Sequence, residues 1–162
     1  HATHGNLVTS ALANTALYTG IAAIENQHLR DDDGAPAHIG QQGRYLIVTP
    51  DLKGTAKVLA RNIQSGDDSD IVVRSEPRIS ATGVFDHTTG VVRTGSATNW
   101  LLTAPATDRP CVVLAARDGQ FQPRVRTFQL EQGAWGLGVD VSLDIAVTIA
   151  DYRGLYWSSG TV

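Results

Sequence analysis

AARDGQFQPRVRTFQLEQGAWGLGVDVSLDIAVTIADYRGLYWSSG, residues 115 to 160, decides the reading of this chain. Arg117-Asp118-Gly119-Gln120 opens it with an Asp-Gly turn signal. From Phe121 to Leu130 polar and apolar residues alternate, with Thr127 and Gln129 set between Val125, Phe128 and Leu130. That is the pattern of a half-exposed strand. Glu131-Gln132-Gly133 interrupts it. Leu137, Val139, Val141 and Leu143 resume it, with Gly138, Asp140 and Ser142 facing the other way. From Ile145 to Ile149 the run is almost wholly apolar, which predicts a strand entering a core buried on both faces. Asp151-Tyr152-Arg153-Gly154 turns the chain, and Leu155-Tyr156-Trp157 ends it. The whole predicts a β-ribbon, half-exposed at its tip and buried at its base, projecting from a body to meet another protein.

The body is read from the residues before this stretch. Residues 9 to 28 carry Leu12, Ala13, Ala16, Leu17, Gly20, Ala23 and Ile24 at helical period, with Thr9 or Ser10 as cap. The Ala and Gly on that face let the helix lie close to a sheet. Arg30-Asp31-Asp32-Asp33-Gly34 lacks the ligand alternation and closing Glu of a calcium loop and reads as a solvated loop. Arg44 to Thr49 predicts a buried strand. Pro50, at a first helical position with Thr49 as cap, starts a helix to about Asn62. Leu52, Ala56, Leu59 and Ile63 form its inner stripe, and Lys53, Lys57 and Arg61 a basic row at i, i+4, i+8. Such a row is able to meet an acidic neighbour or a phosphate; its plainer account is a solvated face. Gln64 to Asp70 is a turn, Ile71 to Arg74 a strand that Pro77 demotes to an edge. Ala81 to Gly95 is a loop with a short strand at Val91-Val92. Asn99 to Thr103 and Cys111 to Ala115 are strands. Helix, strand, helix, then only strands is an α+β order, with helices covering one sheet.

Composition narrows function. The 162 residues are 42% hydrophobic, enough for one domain with a core, or a domain with an extension. A net charge of −3 argues against gripping nucleic acid through a broad basic surface. Cys111 is the single cysteine, so no intramolecular disulfide forms, and its apolar setting predicts a buried thiol. No apolar run approaches the ~20 residues of a membrane span, and no signal peptide is visible. The histidines, at 1, 4, 28, 38 and 87, have no second ligand at metal spacing on a regular element. Gly95-Ser96-Ala97 lacks the second glycine of a nucleophile elbow, and Gly133-x-x-Gly136-x-Gly138 is not a dinucleotide fingerprint. These features predict no enzyme and no cofactor.

Asp118-Gly119, then Pro123-Arg124-Val125, a ribbon and a closing Asp151-Tyr152-Arg153-Gly154 resemble the end of a tailed-bacteriophage major capsid protein of Hong Kong 97-like fold. The pattern looks like that of the Mu-like major head subunit group and its protease-fused relatives. Tyr45-Leu46-Ile47-Val48-Thr49-Pro50-Asp51-Leu52 and Gly95-Ser96-Ala97-Thr98-Asn99-Trp100 fit the same family, so the resemblance covers most of residues 7 to 158.

The resemblance implies an axial domain over residues 1–119, which includes both helices and the strands near 44–49 and 111–116. It implies a peripheral-domain ribbon over 120–144 and a final stretch, 145–162, whose strand near 145–150 returns to the axial domain. It implies that the family's arm, extended loop and long spine helix precede His1. Copies of the chain would form the pentamers and hexamers of a virion shell, built in the bacterial cytoplasm by a phage or prophage. A scaffold or maturation protease would assist, and DNA would be packaged without sequence-specific contact and without a membrane. The expected interface residues are Arg124, Arg126, Glu131, Gln132, Gly133 and Arg153, with Lys53, Lys57 and Arg61. Eleven of the 13 basic residues are Arg, the cation favoured at interfaces. A nanocompartment shell subunit of the same fold, or a small α+β ligand-binding domain or enzyme, are the alternatives. Wide contact edges favour a shell, and one dominant polar pocket favours the last.

Overall fold

The computed structural model describes residues 5–30, 36–38, 42–64, 70–107, 110–130 and 135–160. The fold is α+β, mostly strands with two helices, and the chain divides into two compact units.

The first unit holds residues 1–111 and 151–162. Its elements are β1 (Leu7–Val8), α1 (Asn14–Glu25), β2 (His28–Arg30), β3 (Pro36–His38), β4 (Tyr45–Val48), α2 (Lys53–Gln64), β5 (Val72–Ser75), β6 (Val84–Asp86), β7 (Val91–Arg93), β8 (Trp100–Thr103) and, after the second unit, β13 (Leu155–Ser158). Five strands make the main sheet, in the order β1-β13-β8-β4-β5. β8 pairs antiparallel with both β13 and β4, and the two outer pairs are parallel. β5 lies at the edge, as Pro77 just beyond it predicts. Alternate residues of β4, β8 and β13 point inward: Leu46 and Val48, Trp100 and Leu102, Tyr156 and Ser158. Both helices pack on that inner side, α1 through Leu17, Ile21 and Ile24, α2 through Ala56, Ala60 and Ile63. The Trp100 and Tyr156 rings meet at 5.6 Å between centroids in the middle of this core. Gly20 lets α1 approach: a Cβ there would sit 3.0 Å from the Tyr156 ring.

Three local expectations give way to tertiary demands. Residues 9–12 are not helical, and α1 starts after Ala13 with no side-chain cap. Trp100 Nε1–H (2.9 Å) and Ser158 Oγ–H (2.6 Å) both donate to the Ser10 carbonyl. A carbonyl claimed by two buried donors holds its segment outside the helix. At α2, residues Pro50 to Leu52 form the lead-in turn and the helix begins at Lys53. The buried Thr49 hydroxyl donates to the Ala97 carbonyl at 2.6 Å instead of capping. The expected loop 81–95 is a hairpin of β6 and β7, closed by Asp86, which accepts from Thr88 and Thr89 N–H and pairs with Arg93.

The second unit, residues 112–150, contains β9 (Val112–Ala116), β10 (Arg124–Gln129), β11 (Leu137–Ser142) and β12 (Ile145–Ile149). β9 pairs antiparallel with β12, and β10 with β11. This is one two-stranded ribbon in two segments. The predicted burial of 145–149 is overturned: every residue of β12 is exposed. β9 and β12 pair with each other and do not join the five-stranded sheet. The strands of this unit lie within Val112 to Ala150. The misreading has a physical source. Ala146 is small and Thr148 is β-branched, so the run looks uniformly buried although it still alternates.

Trp100→Ala is expected to cost about 3–5 kcal/mol in denaturant unfolding, because it empties the core centre and strands the Ser10 contact. Cys111 is buried, and burial followed by the nearby Asp151 charge pushes its thiol up from the ordinary value. Labelling by a thiol reagent at pH 8 should be slow in the folded chain and become fast on adding denaturant. Fast labelling without denaturant would contradict this placement.

Candidate subunit interface

Period two governs the ribbon. In β11, β12 and the residues between them, each odd position from 137 to 149 is aliphatic: Leu137, Val139, Val141, Leu143, Ile145, Val147 and Ile149. The register sets Val125 beside Val141, Leu114 beside Val147 and Val112 beside Ile149. One face of the ribbon therefore carries a continuous aliphatic row. All ten of these side chains are exposed, from 42% at Leu143 to 72% at Ile149. The other face is mixed. It holds Arg124 opposite Ser142, Arg126 opposite Asp140, and Phe128 opposite Gly138. The Phe128 ring lies on Gly138 so closely that a Cβ there would fall 2.5 Å from it. The glycine leaves the strip that the ring covers.

Seven residues, 117–123, bulge out opposite Leu143 and Asp144. Asp118 (φ 55°) and Gly119 (φ 69°) make this turn in the left-handed region, as the Asp-Gly signal predicts. Arg117 reaches Asp144 at 3.6 Å, and Arg124 reaches Asp118 at 3.7 Å while its Nε–H donates to Gln120 Oε1 at 2.6 Å. The bulge walls a small polar cleft with Gln122, Ser142 and Leu143. The crossed Arg–Asp pairs already satisfy the charges that line it.

The expected interface residues do not form one patch. Arg124 and Arg126 share the mixed face of the ribbon. Glu131, Gln132 and Gly133 lie outside the described residues, as do Asp31 to Gly34, Ser65 to Ser69 and His1 to His4; Trp135, beside the tip, is fully exposed. Lys53, Lys57 and Arg61 stand together on the outer side of α2. Arg153 belongs to a turn clamp. Its guanidinium meets Asp151 at 2.9 Å, and the two side chains keep only 21% and 13% of their surface. Hydrogen bonding to Asp151 holds Arg153 even more firmly protonated than usual. The aliphatic row was quoted only in part by the sequence reading, because Ile145 to Ile149 had been assigned to the core.

Among the described residues no group of three or more His, Cys, Asp or Glu is placed to hold a metal ion, and no helix is long and apolar enough to cross a membrane. In a comparison with known proteins, a family model described as phage capsid protein matches residues 1–158. No curated protein and no solved structure matches the chain.

Arg153→Ala should lower the stability of the unassembled chain by about 1 kcal/mol, since it opens a half-buried clamp. Thermal unfolding at low protein concentration reads this. An unchanged midpoint would contradict a stabilising role for the clamp.

Proposed function

Because the chain belongs to the phage capsid protein family, we propose that it is a structural subunit of a phage head with the Hong Kong 97-like fold. Copies assemble into pentamers and hexamers of a DNA-containing shell, and the chain resides in the virion. The observation that carries this reading is the uncovered aliphatic row of the ribbon. A two-stranded ribbon is at best marginally stable by itself in water. Burying the exposed half of ten aliphatic side chains is worth ~1 kcal/mol each, or ~10 kcal/mol gross. That matches the order of the ~4–15 kcal/mol that association costs.

The strip also has the dimensions of a particular cover. Two strands ~5 Å apart are no wider than one helix, which is ~10 Å across. The thirteen residues 137–149, eleven of them in strands, would extend about 40 Å if straight, the length of a helix of roughly 27 residues. The resemblance implies a long spine helix in this family, and the aliphatic row is a surface on which such a helix packs. α1 and α2, with 12 residues each, are too short and already bury their apolar faces in the body core. In this reading the five-stranded unit is the axial domain and the ribbon is part of the peripheral domain. Arg124 and Arg126 stay on the open face, and the tip at Glu131-Gln132-Gly133 meets neighbouring subunits near threefold points. A scaffold or maturation protease acts during assembly.

Native mass and negative-stain images of the gene product that carries residues 1–162 test the reading. Rings of five or six, sheets or shells are expected; a monomer at every concentration would overturn it. Val141→Asp combined with Val147→Asp should cut particle yield more than tenfold. The same pair should change the unfolding of the five-stranded body by less than ~0.5 kcal/mol, as exposed positions do. Full particle yield from the double variant would show that the row is not a buried surface.

A further inference from the structure

We propose that the outer face of α2 is a contact site for the phosphate backbone of nucleic acid, formed by Lys53, Lys57 and Arg61. The choice of nucleic acid as partner rests on the head-subunit reading; the site itself rests on how the chain distributes its charge. Among the described residues Arg44, Arg78, Arg93, Arg117, Arg124 and Arg153 each lie within ion-pair distance of a carboxylate. None of those pairs involves Lys53, Lys57 or Arg61, and all three side chains are exposed. They include both lysines of the chain. α2 contains no Asp or Glu between Lys53 and Gln64; Asp51, on the lead-in turn, is the nearest carboxylate in sequence. A chain of net charge −3 thus presents a helix face of charge +3 with no ion pair to a carboxylate among the described residues.

The spacing suits a phosphate row. Cations at i, i+4 and i+8 are ~6 Å apart along the helix and span ~12 Å. One strand of duplex DNA carries a phosphate every ~3.4 Å of its axis, so the ~12 Å row spans about three to four phosphate steps of a backbone. Gly54 is exposed between the first two, so no bulky side chain screens the row there. Lysine and arginine reading phosphates alone carry no base preference, which fits a wall that touches packaged DNA of any sequence.

Fluorescence anisotropy of a short labelled DNA duplex, titrated with the whole chain, tests this. Neutralising three phosphates predicts a log K against log salt slope near −2.7, about a 40-fold weakening between ~50 and ~200 mM salt. Lys53→Gln with Lys57→Gln and Arg61→Gln should abolish binding with the circular-dichroism melt unchanged. Lys53→Arg with Lys57→Arg should retain it, and Arg74→Gln, on the far side of the sheet, should leave it unaltered. No binding by the native chain at low salt, or equal binding by the triple variant, overturns the proposal. Capture of polyglutamate but not DNA also overturns it, in favour of an acidic protein partner. Normal particles from a triple variant that no longer binds DNA would support the site and leave the shell reading standing. Binding without any particles would separate the two the other way.

Discussion

The antiparallel pairing of β8 with β13 is the constraint on which the structure depends. β8 is the centre of the five-stranded sheet, and β13 comes from the chain's far end. The pair sets Trp100 and Tyr156 into the core under α1, and the Ala104 N–H donates to the Gly154 carbonyl at 2.8 Å just beyond its end. Everything between them in sequence therefore leaves the first unit at Cys111 and must re-enter it at Asp151. Closing that excursion costs loop entropy, which grows only slowly with length. A 39-residue insertion is thus tolerated as long as the sheet holds both of its ends.

The insertion has no core of its own. Its strands are stabilised by ladder hydrogen bonds, by Phe128 on Gly138 and by the Arg–Asp crossings of the bulge. These are small contributions, each of the order of 1 kcal/mol or less. A row of aliphatics left in water beside them makes sense for a protein whose working state is an assembly. In that state the same row changes from a liability into adhesive surface. The charge pattern agrees. Among the described paired residues no ionised side chain stands on the aliphatic face, so covering it strands no charge there, while Arg124, Arg126 and Asp140 lie on the other face.

Much of the fold was legible because local rules and tertiary packing agreed. The inner stripe of α2, the β4 strand before Pro50 and the Asp118-Gly119 turn each stand where the sequence places them. Strands form within 121–130 and 137–143, though every residue of β10 is exposed where one face was expected to be covered, and Val125 and Phe128 fall on opposite faces. The failures occur where a distant partner outbids a local signal. Ser10 and Thr49 look like helix caps, yet the Ser10 carbonyl serves Trp100 and Ser158, and the Thr49 hydroxyl serves Ala97. Ile145 to Ile149 looks like core, yet its pairing with β9 holds it on the ribbon. Arginine enrichment selects residues by type, and it could not distinguish Arg153, clamped to Asp151, from Arg126 on an open face. The odd-position aliphatic run continuing through Leu143 into β12 was the legible sign of an exposed apolar surface.

The central claim is that this row is covered in the working particle. Hydroxyl-radical footprinting of assembled particles against the unassembled chain measures it residue by residue. The account predicts strong protection of Leu137, Val139, Val141, Ile145, Val147 and Ile149 on assembly, with Phe128 on the opposite face little changed. Equal oxidation of the odd row in both states would contradict it.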